Sequence, residues 1–241
     1  MDFPRILKKR KGYIERIKPF MRKSVAKVLT GQRRVGKSFL LYQLIEEILG
    51  EEPNANIIYI NLEDFEFSSL QTAQDLHSYI ISQSQKKDKN YIFIDEIQDI
   101  PGFEKVIRSL LLNEDNDIYI TGSNANMLSG ELATYLSGRY IEFKIYSLSY
   151  LEFLEFHGLT DNEKSYELYS RYGGLPYLLN LPLEDETVNE YLKSIYSTIV
   201  FRDVVSRYKL RNTLFLEKLI QFLSENIGNL FSAKNISDYL K

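Results

Sequence analysis

The residues best suited to chemistry stand close together near the N-terminus, where GQRRVGKS places Gly31, Gly36, Lys37 and Ser38 at the spacing G-x-x-x-x-G-K-[ST]. Two glycines let the backbone fold around a polyphosphate with its N–H groups turned inward, and the helix that follows adds partial positive charge at its start. Lys37 is placed to reach the outer phosphates, and Ser38 to give its hydroxyl to Mg2+. Gly31, Gln32, Arg33, Arg34, Val35, Gly36, Lys37, Ser38 and Phe39 are therefore the candidate phosphate-binding residues. A second run, YIFIDEIQD, ends an apolar stretch in Asp95 and Glu96, and Asp95 follows Lys37 by 58 residues. Asp95 suits Mg2+, held through water, and Glu96 suits a general base that activates a water molecule. A third, DIYITGSNANML, presents Thr121, Ser123 and Asn124 at the tip of another apolar run. Ser123 or Asn124 is the candidate to orient that water. A fourth, LSGRY, sets Arg139 directly before a further apolar run, where it could serve a neighbouring copy's phosphate or act as a surface arginine paired with Glu142.

Such groups work only if a scaffold holds them at one edge. Short β-branched and aromatic runs at 24–29, 57–62, 91–95, 117–121 and 140–145 read as five strands. Helical spacing at 37–49, 69–82, 103–112 and 126–136 fills the gaps between them. Strand and helix alternate four times, so a parallel sheet covered on both faces, an open three-layer α/β/α domain, is expected. From about Ser147 the strand signal stops. Helical spacing continues at 163–172, 184–196, 198–208 and 212–225, and Ser232 is placed to cap a last helix.

Composition bounds the rest. With 44% hydrophobic residues, 26% charged, 12 Gly and 6 Pro in 241 residues, the chain is neither disordered nor collagenous. Cys is absent, which excludes disulfides, thiolate metal sites and cysteine nucleophiles. No run is long and apolar enough for a membrane span, and the first residues lack a signal peptide's apolar core, so no membrane partner and a cytoplasmic location are expected. The net charge of −3 is uneven: residues 1–38 hold 13 Lys and Arg against Asp2 and Glu15, or +11, leaving −14 for the remainder. Such a segment either attracts phosphate or DNA or is a solvated basic face. His77 and His157 have no second ligand at metal spacing; Glu63, Asp64 and Glu66 read as an acidic loop, and Glu46, Glu47, Glu51 and Glu52 as a solvated helix end.

The order of these motifs, and the wording of GQRRVGKS, FIDEIQDIPGFEKVIRSL, YITGSNANMLSGELATYLSGRY, YGGLPYLL and SENIGNLFSAKNISDYL, resembles the AAA+ P-loop ATPases of the prokaryotic AAA/DUF4143-type family over nearly the whole chain. The resemblance implies strand order 5-1-4-3-2, an ATP-binding core over 1–146, a helical lid over 147–209, and the start of a winged-helix region over 210–241 that lacks its continuation. It also implies that MgATP binds between lid and loop, with Gly173, Gly174 and Pro176 where the lid approaches. One departure is that no arginine follows GGLP where many AAA+ proteins carry a second sensor.

The expected activity is Mg2+-dependent hydrolysis of ATP to ADP and phosphate, slow in an isolated monomer if Arg139 acts in trans, and driving a conformational switch. The alternatives are an ATP-binding interaction module with negligible turnover and a nucleic-acid-associated ATPase. ATP and ADP, a homo-oligomeric neighbour, and DNA through the basic segment or the winged helix are the expected partners.

Overall fold

A computed structural model of the protein describes residues 8–85, 89–123, 136, 138–199, 205 and 212–240. The chain divides into two compact units, Met1–Leu181 and Pro182–Lys241.

In the first unit, α1 (Lys11–Ile17) leads to β1 (Ala26–Thr30), α2 (Lys37–Glu51), β2 (Asn56–Asn61), α3 (Ala73–Gln83), β3 (Asn90–Asp95), α4 (Phe103–Leu110), β4 (Asn116–Gly122) and β5 (Tyr140–Lys144). All four strand pairings are parallel and the order is β2-β3-β4-β1-β5, the order 5-1-4-3-2 read from the other edge. The sheet is covered on both faces, which explains why its strands read as unbroken apolar runs. One face is aliphatic: Val28, Ile92, Ile94, Ile118 and Ile120 pack against Leu76 and Ile80 of α3 and Val106 and Ile107 of α4. The other is rich in rings, with Tyr91, Phe93 and Tyr119 beneath Leu40, Leu41, Leu44 and Ile48 of α2. Phe93 and Tyr119 stack with centroids 4.4 Å apart and planes 9° from parallel.

Differences from the expected boundaries have local causes. The helix expected from residue 69 begins at Ala73, because Thr72 and Asp75 form a reciprocal capping box that fixes the start, while Phe65–Phe67 forms a separate turn of 3-10 helix. The helix expected over 126–136, apart from Leu136, and most of that expected over 198–208 lie outside the described residues.

Beyond β5, α5 (Tyr150–His157) and α6 (Glu163–Tyr172) belong to the first unit, which runs on to Leu181. Ser149 and Glu152 form a capping box at the start of α5, and Gly158 closes it in the left-handed region. In the second unit, α7 (Asp185–Thr198) carries Asp185 and Glu186 in its first turn, favourable at a helix N-terminus. There α8 (Thr213–Glu225) and α9 (Ala233–Leu240) meet through Phe222, whose ring lies 5.0 Å from that of Tyr239 and 5.9 Å from that of Phe231. The Ser232 hydroxyl accepts from the Asn235 N–H at 3.2 Å and caps α9.

Candidate functional site

Three strand ends and one loop make the site. The sheet leaves β1 at Thr30 and turns sharply at Gly31, whose φ is 153°. A Cβ there would lie 2.2 Å from the Ile145 carbonyl oxygen, so the loop leaves the sheet in contact with the end of β5, where only glycine fits. Gln32 and Arg34 are exposed, Arg34 in the left-handed region with φ 67°. Arg33 pairs with Glu63 at 3.1 Å, so one residue of the acidic loop meets the phosphate-type loop. Val35 is buried among Leu40 and Leu41, anchoring the loop to the core below it. Gly36, with φ 92°, opens α2. Phe39 is half exposed and lies edge-on to Tyr42, with centroids 6.0 Å apart.

Lys37 is the centre of this arrangement. Its residue is only 4% exposed, and its ammonium donates to the Gly31 and Gln32 carbonyls, both at 3.1 Å, while lying 3.6 Å from Glu96 Oε1. Burial pulls the Lys37 ammonium below the usual lysine value, and the charges of Glu96 and Asp95 oppose that pull.

Asp95 ends β3 and is 2% exposed. Its carboxylate accepts from the Thr121 hydroxyl on β4, and the Ser38 side chain lies close enough to act on its charge. Burial pushes the Asp95 carboxyl up, and Ser38 and Thr121 work against the rise. Tyr59 on β2 reaches the same carboxylate, and its hydroxyl also donates to that of Tyr42 at 3.0 Å. Glu96 follows in the left-handed region, φ 55° and ψ 47°, and its N–H donates to the Thr121 hydroxyl at 2.9 Å. Its Oε2 accepts from the Ser123 hydroxyl at 2.8 Å, the Ser123 N–H at 3.3 Å and Gln98 Nε2 at 2.5 Å. Burial raises the Glu96 carboxyl, but the Lys37 charge and the Ser123 and Gln98 bonds outweigh it and leave the group below the ordinary glutamate value. Two adjacent carboxylates are thus pushed in opposite directions.

Pro176 comes close to the loop, whereas Gly174 is held against Leu148, beyond β5. Leu148 N–H donates to the Gly174 carbonyl at 2.7 Å, and a Cβ on Gly174 would sit 2.2 Å from the Leu148 carbonyl oxygen, so the two backbones touch. The Pro176 ring lies 3.7 Å from where a Cβ on Gly36 would be. Arg139 is exposed just before β5, and its carbonyl accepts from the Ala26 N–H at 2.9 Å. Asn124, the other candidate to orient water, lies outside the described residues.

The reading of Glu46, Glu47, Glu51 and Glu52 as merely solvated is corrected. Lys9 lies 3.4 Å from Glu46 and 3.0 Å from Glu47, Lys18 3.3 Å from Glu51, and Arg22 2.9 Å from Glu51 and 2.8 Å from Glu52, so the end of α2 faces the basic segment. His77 lies 3.3 Å from the Ser109 hydroxyl, and the His157 ring packs on Phe153 at 4.3 Å. Among the described residues no group of three or more His, Asp or Glu is close enough to hold a metal by itself. None of the described helices is long and apolar enough to cross a membrane.

Arg10, Gln98, Tyr59 and Tyr42 were not legible as site residues. Gln98 sits within YIFIDEIQD and Arg10 within KKRKGY with nothing in their spacing to single them out, and the two tyrosines reach the site only once β2 lies beside β3.

Comparison with known proteins agrees with this geometry. Residues 163–241 match a family described as Domain of unknown function (DUF8612). An uncharacterized protein of Haemophilus influenzae is 39% identical over 238 residues, covering 96% of this chain and 59% of its own length. One from Methanocaldococcus jannaschii is 32% identical over 228 residues, covering 89% of this chain and 50% of its own. The chain thus spans little more than half the length of these curated relatives. Among solved structures, the Aeropyrum pernix ORC1 protein in complex with DNA has a TM-score of 0.51 at 15% identity, covering 98% of this chain and 78% of that one, which is a likeness of fold. Residues 23–154, more than half of the chain and including the loop 31–38 and the Asp95–Glu96 strand end, match the family described as AAA domain, and the chain belongs to that family.

Proposed function

We propose that this protein binds ATP with Mg2+ on the loop 31–38 and hydrolyses it to ADP and phosphate. The observation that supports this most is the Lys37 ammonium, buried inside a glycine-bounded loop and 3.6 Å from a carboxylate at the neighbouring strand end. A cation so placed is stabilised most by an anion that enters the loop, and backbone N–H groups with a helix start favour a polyphosphate.

The donors present also fit a magnesium ion: the Ser38 hydroxyl and the Asp95 carboxylate are hard oxygen ligands that lie near one another. When bound, Mg2+ supplies charge neutralisation on the phosphate oxygens. Lys37 does the same from the loop side. Glu96, held below the ordinary glutamate value, is ionised near neutral pH and takes a proton from the attacking water. Ser123 fixes the Glu96 carboxylate through its hydroxyl and N–H, and Asn124 is the second candidate for orienting the water. Pro176 brings the segment after α6 against the loop and Gly174 ties it to Leu148, so that segment and the helices between 147 and 209 act as the lid that responds to hydrolysis. Arg139, exposed before β5, is supplied to the nucleotide of a second copy. Gln32, Arg33, Arg34, Val35 and Phe39 complete the lining of the phosphate site. The DUF4143-type affiliation, the winged-helix reading of 210–241 and a cytoplasmic location belong to the same proposal.

DNA association draws on the +11 segment and on the winged-helix reading of 210–241. Pairing of Lys9, Lys18 and Arg22 with α2 and the burial of Arg10, Lys27 and Lys37 leave the +11 segment far less free charge than its sequence suggests. The proposal therefore rests on the nucleotide site.

Phosphate release by the wild type and by Glu96→Gln tests it. Loss of a general base lowers turnover by about 10²-fold or more while nucleotide binding is kept. Equal, near-background rates in both proteins would leave a binding module that scarcely turns over.

A further inference from the structure

Arg10 precedes the stretch matched to the AAA domain, which begins at residue 23, yet it is 4% exposed and tied to the loop within that stretch. Its guanidinium has five N–H donors, and five contacts use them. Nε and Nη2 donate to the two oxygens of Glu152 on α5, both at 2.8 Å. Nη1 donates to the Tyr146 carbonyl at 2.8 Å and to the Val35 carbonyl at 3.2 Å, and Nη2 to the Ser147 carbonyl at 3.4 Å. The Arg10 N–H donates to Gln43 on α2 at 2.9 Å, so the backbone is fixed as well as the side chain. The Tyr13 ring lies against the guanidinium at 4.5 Å.

We propose that Arg10 is a positioning residue for the nucleotide loop, an inference that rests on the reading of that loop as a phosphate site. The peptide joining Val35 to Gly36 is trans, so its C=O and N–H point in opposite directions. Holding the Val35 oxygen therefore turns the Gly36 N–H away from Arg10 and fixes which side of the loop offers a donor. The planar fork makes this possible: the same group that grips the loop also grips α5 bidentately, which a lysine's single point of charge cannot do. The orientation of one loop peptide is in this way coupled to the segment 146–152 that follows the sheet. Glu152 is the counterpart, fixed in turn by the Ser149 N–H at 2.9 Å.

The test is titration with MgADP by calorimetry, with melting temperature measured separately without nucleotide, for the wild type, Arg10→Lys, Glu152→Gln and Tyr13→Phe. Tyr13→Phe removes the neighbouring bond that the Tyr146 N–H donates to the Tyr13 hydroxyl at 3.1 Å, while keeping the ring beside Arg10. Arg10→Lys should weaken MgADP by about tenfold, the loss of one charged hydrogen bond, with a smaller effect for Glu152→Gln and less than about twofold for Tyr13→Phe. A purely structural role would lower the melting temperature and leave the affinity of the folded protein unchanged, and that result overturns the proposal. If Arg10→Lys does not fold, Glu152→Gln decides, and wild-type affinity in that variant overturns it equally. Failure of the folded wild type to bind MgADP overturns the nucleotide reading itself and this inference with it.

Discussion

Thr121 holds both acidic residues at the end of β3 at once. Its hydroxyl donates to the Asp95 carboxylate and accepts the Glu96 N–H at 2.9 Å, bracing a glutamate whose backbone lies in the left-handed region at φ 55°. Few non-glycine residues adopt that conformation without support from their surroundings. Thr121→Val keeps the shape but leaves a buried N–H and a buried carboxylate short of a partner. It should cost about 1–3 kcal/mol in denaturant melts, and in steady-state kinetics lower kcat more than it raises KM. Glu152 gives a pH prediction. Burial raises its carboxyl, but bonds from Arg10 and Ser149 prevail and hold it below the ordinary value. A depressed carboxyl stabilises the fold above the unfolded value of about 4.3 and loses that contribution as pH falls through the folded value. Glu152→Gln should accordingly flatten the acid limb of a melting-temperature profile below about pH 4.3 and change the slope little at pH 7; an unchanged acid limb would refute it. Arg10 shows what the sequence hides at this scale: one more basic residue in KKRKGY looks solvated until the chain folds five acceptors around it.

At the scale of elements, the loop and strand ends were legible because their chemistry is local. A glycine-bounded loop between strand and helix, or a carboxylate pair ending an apolar run, needs no distant partner to be read. Contacts between strands were not legible to the same degree. That Thr121 meets Asp95 depends on β3 lying beside β4 with Ile94 opposite Ile120, and that Tyr59 does so depends on β2 lying on the other side with Asn61 opposite Asp95. The pairing of Glu51 with Lys18 and Arg22 likewise depends on α2 returning along the basic segment. Two glycines carry the sharpest element-level prediction. Gly31→Ala and Gly174→Ala each drive a methyl to 2.2 Å from a backbone oxygen, of Ile145 and Leu148 respectively. Each should lower stability by more than about 1 kcal/mol, whereas Gly50→Ala, in the last turn of α2 with nothing within 4 Å, should be neutral or stabilising in the same melts.

For the molecule as a whole, the proposed role of Arg139, exposed ahead of β5, would make turnover a property of the assembly. If a neighbouring copy supplies it, specific activity should climb with protein concentration, and Arg139→Ala should remove that climb, an effect of up to about 10³-fold, without weakening MgADP. A specific activity independent of concentration would dismiss the role. The edge of the sheet away from the nucleotide loop matters to this arrangement as well. There Lys27 and Asp117, both fully buried, form an ion pair, with the Lys27 ammonium 4.5 Å from the Tyr119 ring and the Tyr119 hydroxyl 2.8 Å from Asp117. Sliding β1 by one position against β4 would turn Lys27 into the aliphatic layer and maroon both ions, at a cost of several kcal/mol. The pair works as a key cut for a single alignment: wherever it closes, Thr30 draws level with Gly122, and the loop beyond is delivered beside the carboxylates at the far end.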